Sequence, residues 1–131
     1  MQRVLIIEDD PAMSEYMCEI LRRAGFEVSA AFNGVTGLEA LRTSPPDVAI
    51  LDIFMPEKDG LEVLIELRRT TPDLNVVITS GKQHLLSGSS LSLAEQLGAN
   101  ATLPKPFTPK ELVSVVSRLA GLAPSGQVAT I

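Results

Sequence analysis

The sequence predicts an α/β fold with a parallel sheet covered by helices on both faces. Five short apolar runs, at 4–7, 28–31, 48–51, 76–79 and 101–103, alternate with longer amphipathic segments. Most of the runs are too uniformly apolar to have one wet face, which is the mark of strands buried on both sides. Several of the intervening segments carry clear helix-start signals. Alternation of this kind builds βαβ units with right-handed crossovers.

The first strand, Val4–Ile7, runs into Glu8-Asp9-Asp10. Asp10 is placed to cap a helix whose first residue is Pro11, where the missing N–H costs nothing. Met13, Met17, Ile20 and Leu21 then share a face, and Gly25 stops the helix. After the second strand, Val28–Ala31, Asn33 caps a helix bearing Leu38 and Leu41 that ends at Ser44-Pro45-Pro46. The third strand, Val48–Leu51, leads to Asp52 and a Pro-bounded turn. Asp59 and Glu62 then have capping-box spacing ahead of Leu61, Leu64, Ile65 and Arg68. The fourth strand, Val76–Thr79, is followed by Ser80-Gly81 and a Ser-rich stretch read as a loop, with helix over Leu91–Leu97. The fifth, Ala101–Leu103, precedes Lys105 and the capping box Thr108-Pro109-Lys110-Glu111. That box opens a last helix with Leu112, Val115, Val116 and Leu119. Residues 1–121 are expected to form one domain, and 122–131 (LAPSGQVATI) a flexible tail without periodicity.

Charge and composition exclude several functions. A net charge of −5 argues against a nucleic-acid surface, which needs clustered Lys and Arg. One cysteine, Cys18, allows no intramolecular disulfide and fits a reducing compartment. It lies among helix-period apolar residues and reads as a buried thiol. There is neither a signal-peptide pattern at the start nor an apolar run of about 18 residues, so a cytoplasmic protein without membrane contact is expected. Tyr16 and His84, each the sole residue of its type, read as surface or packing residues.

In open parallel sheets, active groups collect at the carboxyl ends of the strands. Four strand ends here supply Glu8 and Asp9, then Asp52, then Ser80-Gly81, then Lys105. Asp9 and Asp52 on neighbouring ends would repel each other strongly. A hard divalent cation with oxygen ligands removes the repulsion, with Glu8 acting through a metal-bound water. The competing reading makes these acids solvated loop residues near a helix N-terminus, where negative charge is favoured. Asp52 at the end of an apolar strand, and Lys105 between two prolines, weigh against it. Metal, carboxylate, lysine and hydroxyl are the parts of phosphoryl transfer. No GxxxxGK[ST] loop is present to hold a nucleotide, which leaves a carboxylate that itself becomes phosphorylated.

Four stretches in order, VLIIEDDP, PDVAILDIFMPEKDGLEVL, VVITSGK and GANATLPKPFTPKEL, resemble the receiver domain of two-component response regulators over roughly residues 3–120. The resemblance implies a flavodoxin-like (βα)5 sheet in strand order 2-1-3-4-5. It implies that Asp52 is the phosphoacceptor, taking a phosphoryl group from phosphohistidine on a sensor histidine kinase or a histidine phosphotransfer protein. It implies a Mg2+ site (Mn2+ being an alternative) formed by Glu8, Asp9, Asp52 and the backbone carbonyl of Phe54. Lys105 and Ser80 match the residues that bind the phosphoryl group, with Gly81 beside Ser80, and the Lys105–Pro106 peptide is commonly cis in this family. Phe54 and Lys82 match positions that flank attacking water and tune phosphoryl lifetime. The Phe54 ring reads either as a shield or as a contact for other surfaces, and Lys82 as a residue that could orient water. A downstream protein would dock on the face made by the fourth helix, fifth strand and fifth helix. Monomer and phosphorylation-dependent homodimer both fit.

The sequence departs from the family pattern in three places. Thr102 stands where Tyr or Phe usually provides a ring that turns inward on activation. The Ser80–Gly98 interval is about three residues longer than usual, with the excess at 87–92. No output module follows the last helix in this sequence, so either a single-domain regulator acting by docking or a receiver whose output domain lies outside the sequence is expected. Two rival readings are a non-phosphorylated scaffold and a phosphohydrolase. The five acidic, hydroxyl and lysine residues present together speak against the first. Phe54, where a hydrolase would carry a second Asp, speaks against the second, so no turnover of external phosphate esters is expected.

Overall fold

The period-two alternation of each inner strand decides which helix it meets. The structure, a computed structural model, describes residues 2–55, 58–81 and 90–121. Strands β1 (Arg3–Ile7), β2 (Glu27–Ala31), β3 (Val48–Asp52), β4 (Asn75–Ser80) and β5 (Ala101–Pro104) are all parallel, in the order β2-β1-β3-β4-β5. Helices α1 (Pro11–Arg23), α2 (Gly34–Thr43), α3 (Gly60–Thr70), α4 (Ser90–Gln96) and α5 (Pro109–Leu119) connect or follow them. On β1, Val4 and Ile6 join a core with Met17 and Leu21 of α1 and Leu112 and Val116 of α5. Leu5 and Ile7 point the other way, into a second core with Leu38 and Leu41 of α2 and Leu64 and Leu67 of α3. The strand order therefore matches the doubly wound arrangement expected, with its reversal between β1 and β3.

The helix starts agree with the capping residues read from the sequence. Asp10 accepts from the Ala12 amide at 3.1 Å, Asn33 from Thr36 at 2.8 Å and Asp59 from Glu62 at 2.9 Å. At α5 the capping box is complete, with Glu111 N–H to Thr108 Oγ1 at 3.1 Å and Thr108 N–H to Glu111 Oε1 at 2.8 Å. At α3 the described structure has only the forward half of the box, because the Glu62 side chain is turned to solvent. Gly25, at φ 98°, takes the left-handed turn that follows α1. β2 departs from the uniformly buried pattern of the inner strands, as the other edge strand, β5, does in part. As an edge strand β2 exposes Glu27, Ser29 and Ala30 and buries only Ala31. α4 begins one residue earlier than the periodicity suggests. The tail 122–131, His84, Lys82 and most of the Ser-rich stretch lie outside the described residues. No helix among the described residues is long and apolar enough to cross a membrane.

One glycine fixes how α3 meets the end of β3. The Gly60 amide donates to the Ile53 carbonyl at 2.9 Å. A Cβ on Gly60 would overlap the Asp52 carbonyl oxygen and lie 2.9 Å from the Ile53 Cα. These are backbone atoms and cannot turn aside as a flexible side chain could. Gly60→Ala should therefore lower unfolding free energy by about 1–3 kcal/mol in urea. Unchanged stability would mean that α3 can slide off the strand end without cost.

Candidate functional site

The sheet gathers the chemistry at one rim. Glu8 and Asp9 follow β1, Asp52 ends β3, Ser80 ends β4 and Lys105 follows β5. Register aligns these ends, pairing Asp52 with Thr79 and Ser80 with Pro104. The backbone continues the alignment past the strands, since Lys105 N–H donates to the Ser80 carbonyl at 2.8 Å and Ile53 N–H to the Thr79 carbonyl at 3.0 Å. The Lys105–Pro106 peptide is cis.

Glu8, Asp9 and Asp52 each offer a carboxylate oxygen within 4.8 Å of the others'. Glu8 and Asp52 are buried, and Asp9 is half-buried. Asp10 points away as the α1 cap, so the acidic triplet divides as its positions predict. Lys105 Nζ lies 2.7 Å from Glu8 Oε1 and 3.8 Å from Asp52 Oδ1. Among the described residues one ammonium thus faces three carboxylates, a cluster that could hold a metal ion. Donors that are all oxygen would suit a hard divalent cation. The nearness of Lys105 to Glu8, rather than to Asp52, is a pairing that spacing along the chain does not reveal.

Burial raises the Asp52 carboxyl from 3.8 to about 7, with the Glu8 charge adding to it and Asp9 contributing less. Lys105 and a hydrogen bond from the Phe54 backbone N–H pull in the opposite direction. Phe54 therefore bears on Asp52 through its amide as well as through the carbonyl considered from the sequence. Its ring is exposed, and the next side chain, Met55, turns into the core. Ser80 is fully buried, and among the described residues its hydroxyl makes only a long 3.5 Å contact to the Gly81 carbonyl. Gly81 is half-buried beside it. Thr102 is half-buried on β5, opposite Ile78, at the side of the sheet rather than at the acidic rim.

The family model described as "Response regulator receiver domain" matches residues 4–117. The chain belongs to this family. Response regulator MprA of Mycobacterium ulcerans (strain Agy99) is 37% identical over 112 residues, which cover 86% of this chain and 47% of that protein. This receiver domain thus spans about half the length of the curated relatives it matches. Among solved structures, a putative response regulator from Chloroflexus aurantiacus J-10-fl superimposes with a TM-score of 0.85 at 30% identity, covering 92% of this chain and 98% of that one. The receiver domain of the Francisella response regulator 1452 gives 0.84 at 27% identity, with the same coverage of both chains. Receiver domains of this family are signalling modules of two-component systems, and a phosphoryl-accepting switch is their general role.

The raised Asp52 carboxyl has a consequence for stability. The folded protein holds a proton there that the unfolded chain has already lost between pH 4 and pH 7. Stability contributed by this group therefore falls as pH rises through that window. In EDTA, Asp52→Asn should match wild type near pH 4 and exceed it by on the order of 2 kcal/mol at pH 8. Urea unfolding at both pH values reads this, and a difference that does not change with pH would contradict it.

Proposed function

We propose that this receiver domain accepts a phosphoryl group on Asp52 in a divalent-cation-dependent reaction and signals by changing the surface it offers to protein partners. The observation that carries the proposal is the convergence of three carboxylates on one point with Lys105 beside Asp52. Glu8, Asp9, Asp52 and the Phe54 carbonyl hold Mg2+, or Mn2+ in its place. A cation held there would supply positive charge against the carboxylates and the phosphoryl oxygens.

The donor is phosphohistidine on a sensor kinase or a histidine phosphotransfer protein. An ionised Asp52 oxygen attacks phosphorus, the new O–P bond forms as the P–N bond breaks, and the P–N electron pair returns to the imidazole. Asp52 must lose its proton first, which neutralisation of its acidic neighbours favours. Lys105 has a short path from Glu8 to a phosphoryl oxygen on Asp52. The Ser80 hydroxyl and the Gly81 amide donate to the remaining oxygens. The signal passes to the α4–β5–α5 face, where Thr102 offers no large ring to swing. Phe54 and Lys82 tune how long the acyl phosphate survives. The chain turns over only its own phosphoryl group and not external esters.

Intact mass after incubation with Mg2+ and acetyl phosphate tests the reading. Wild type should gain a single phosphoryl adduct that EDTA prevents and Asp52→Ala lacks. An adduct that persists in Asp52→Ala would move the acceptor elsewhere. No adduct in wild type, from acetyl phosphate or from a kinase, would leave a scaffold.

A further inference from the structure

The loop that follows Asp52 is gripped at its far end by two helices that take no direct part in the site. Lys58 closes this loop just before the α3 cap, Asp59. Its backbone lies against Gly34, the first residue of α2. A Cβ on Gly34 would come 2.5 Å from the Lys58 carbonyl oxygen, 3.0 Å from the Lys58 Cβ and 2.9 Å from Val63 Cγ2. Its ammonium pairs with Glu66 two turns along α3, and Arg42 near the end of α2 reaches the other Glu66 oxygen at 3.6 Å. Lys58 beside it holds the Glu66 carboxyl below its ordinary range, so the pair is ionic at neutral pH.

The near end of the same loop is Asp52 itself. Gly60, two residues beyond Lys58, is seated on the Asp52–Ile53 backbone, and the Phe54 amide bonds the Asp52 carboxylate. Lys58 and Gly60 therefore hold the far end of the loop against the strand end from which the Phe54 N–H reaches Asp52. From this geometry we infer that Lys58 and Glu66 form a positioning pair, which fixes the loop after Asp52 and so sets the affinity of the carboxylate site for its divalent cation. The inference depends on the metal-binding reading above. An ordinary exposed ion pair contributes little to stability. What distinguishes this one is that its lysine is half-buried and belongs to the loop that borders the site.

The test is calorimetric Mg2+ titration of the whole chain, with hydrogen exchange at the Phe54 and Gly60 amides in metal-free protein. Lys58→Met and Glu66→Gln should each weaken Mg2+ binding about tenfold, as the loss of a supporting partner around a metal does. Both should speed exchange at the two amides while thermal melting stays near that of wild type. Lys58→Arg, which keeps charge and reach, should restore both. Wild-type affinity and exchange in Lys58→Met, or an effect in only one of the pair, would overturn the inference while leaving the metal site standing. Failure of the wild-type chain to bind Mg2+ would instead overturn the metal reading, and the positioning role with it.

Discussion

Everything at the rim depends on one electrostatic imbalance, three carboxylates packed around a point with, among the described residues, a single ammonium to oppose them. Such a cluster is costly to bury without compensation, and Asp52 answers by holding its proton to about pH 7. The cost is the means of regulation. On the proposed function, a divalent cation would supply the charge that the site lacks, and the Asp52 carboxylate would become nucleophilic once that charge is balanced. Lys105, paired for now with Glu8, keeps part of the charge satisfied and stays within reach of Asp52.

The fold tolerates this imbalance because the cores beneath it are built separately. The apolar residues of β1 and β3 divide between two helix layers, which take in Ile53 and Met55 after β3 and Phe107 after β5 but none of the charged rim residues. Where rim and scaffold meet, backbone contacts add to these side chains. Gly60 rests on the Asp52 carbonyl, Gly34 rests on Lys58, and the Lys105 amide is tied to Ser80. Close backbone approach transmits position with little slack, since it has no rotamers to absorb a shift. That is why α2 and α3, which contribute no side chain to the acidic cluster, still bear on its geometry.

Much of this was legible in the sequence. Uniformly apolar runs forecast the inner strands, and Asp10, Asn33, Asp59 and Thr108 cap the helices that their spacing indicates. The strand-end rule drew Glu8, Asp9, Asp52, Ser80 and Lys105 to one rim before any fold was in view. The pairing of Lys105 with Glu8 was not legible, because it spans 97 residues and depends on which oxygen lies nearest in space. Nor was the Phe54 amide, since a backbone N–H leaves no trace in residue type. The exposure of β2 reflects its edge position, which local pattern does not encode. Nothing in the sequence singles out Lys58, and Gly34 gives no sign in the sequence of which residue approaches it.

The central claim is that Asp52 is held protonated by its burial and its acidic neighbours, and would be released by a divalent cation. Carbon-13 NMR of the Asp52 side-chain carboxyl, followed through pH with EDTA and then with Mg2+, measures this directly. The account predicts a midpoint near pH 7 without the ion and one below about pH 5 with it. A midpoint near pH 4 under both conditions would show that Asp52 feels neither its burial nor its neighbours, and would contradict the account.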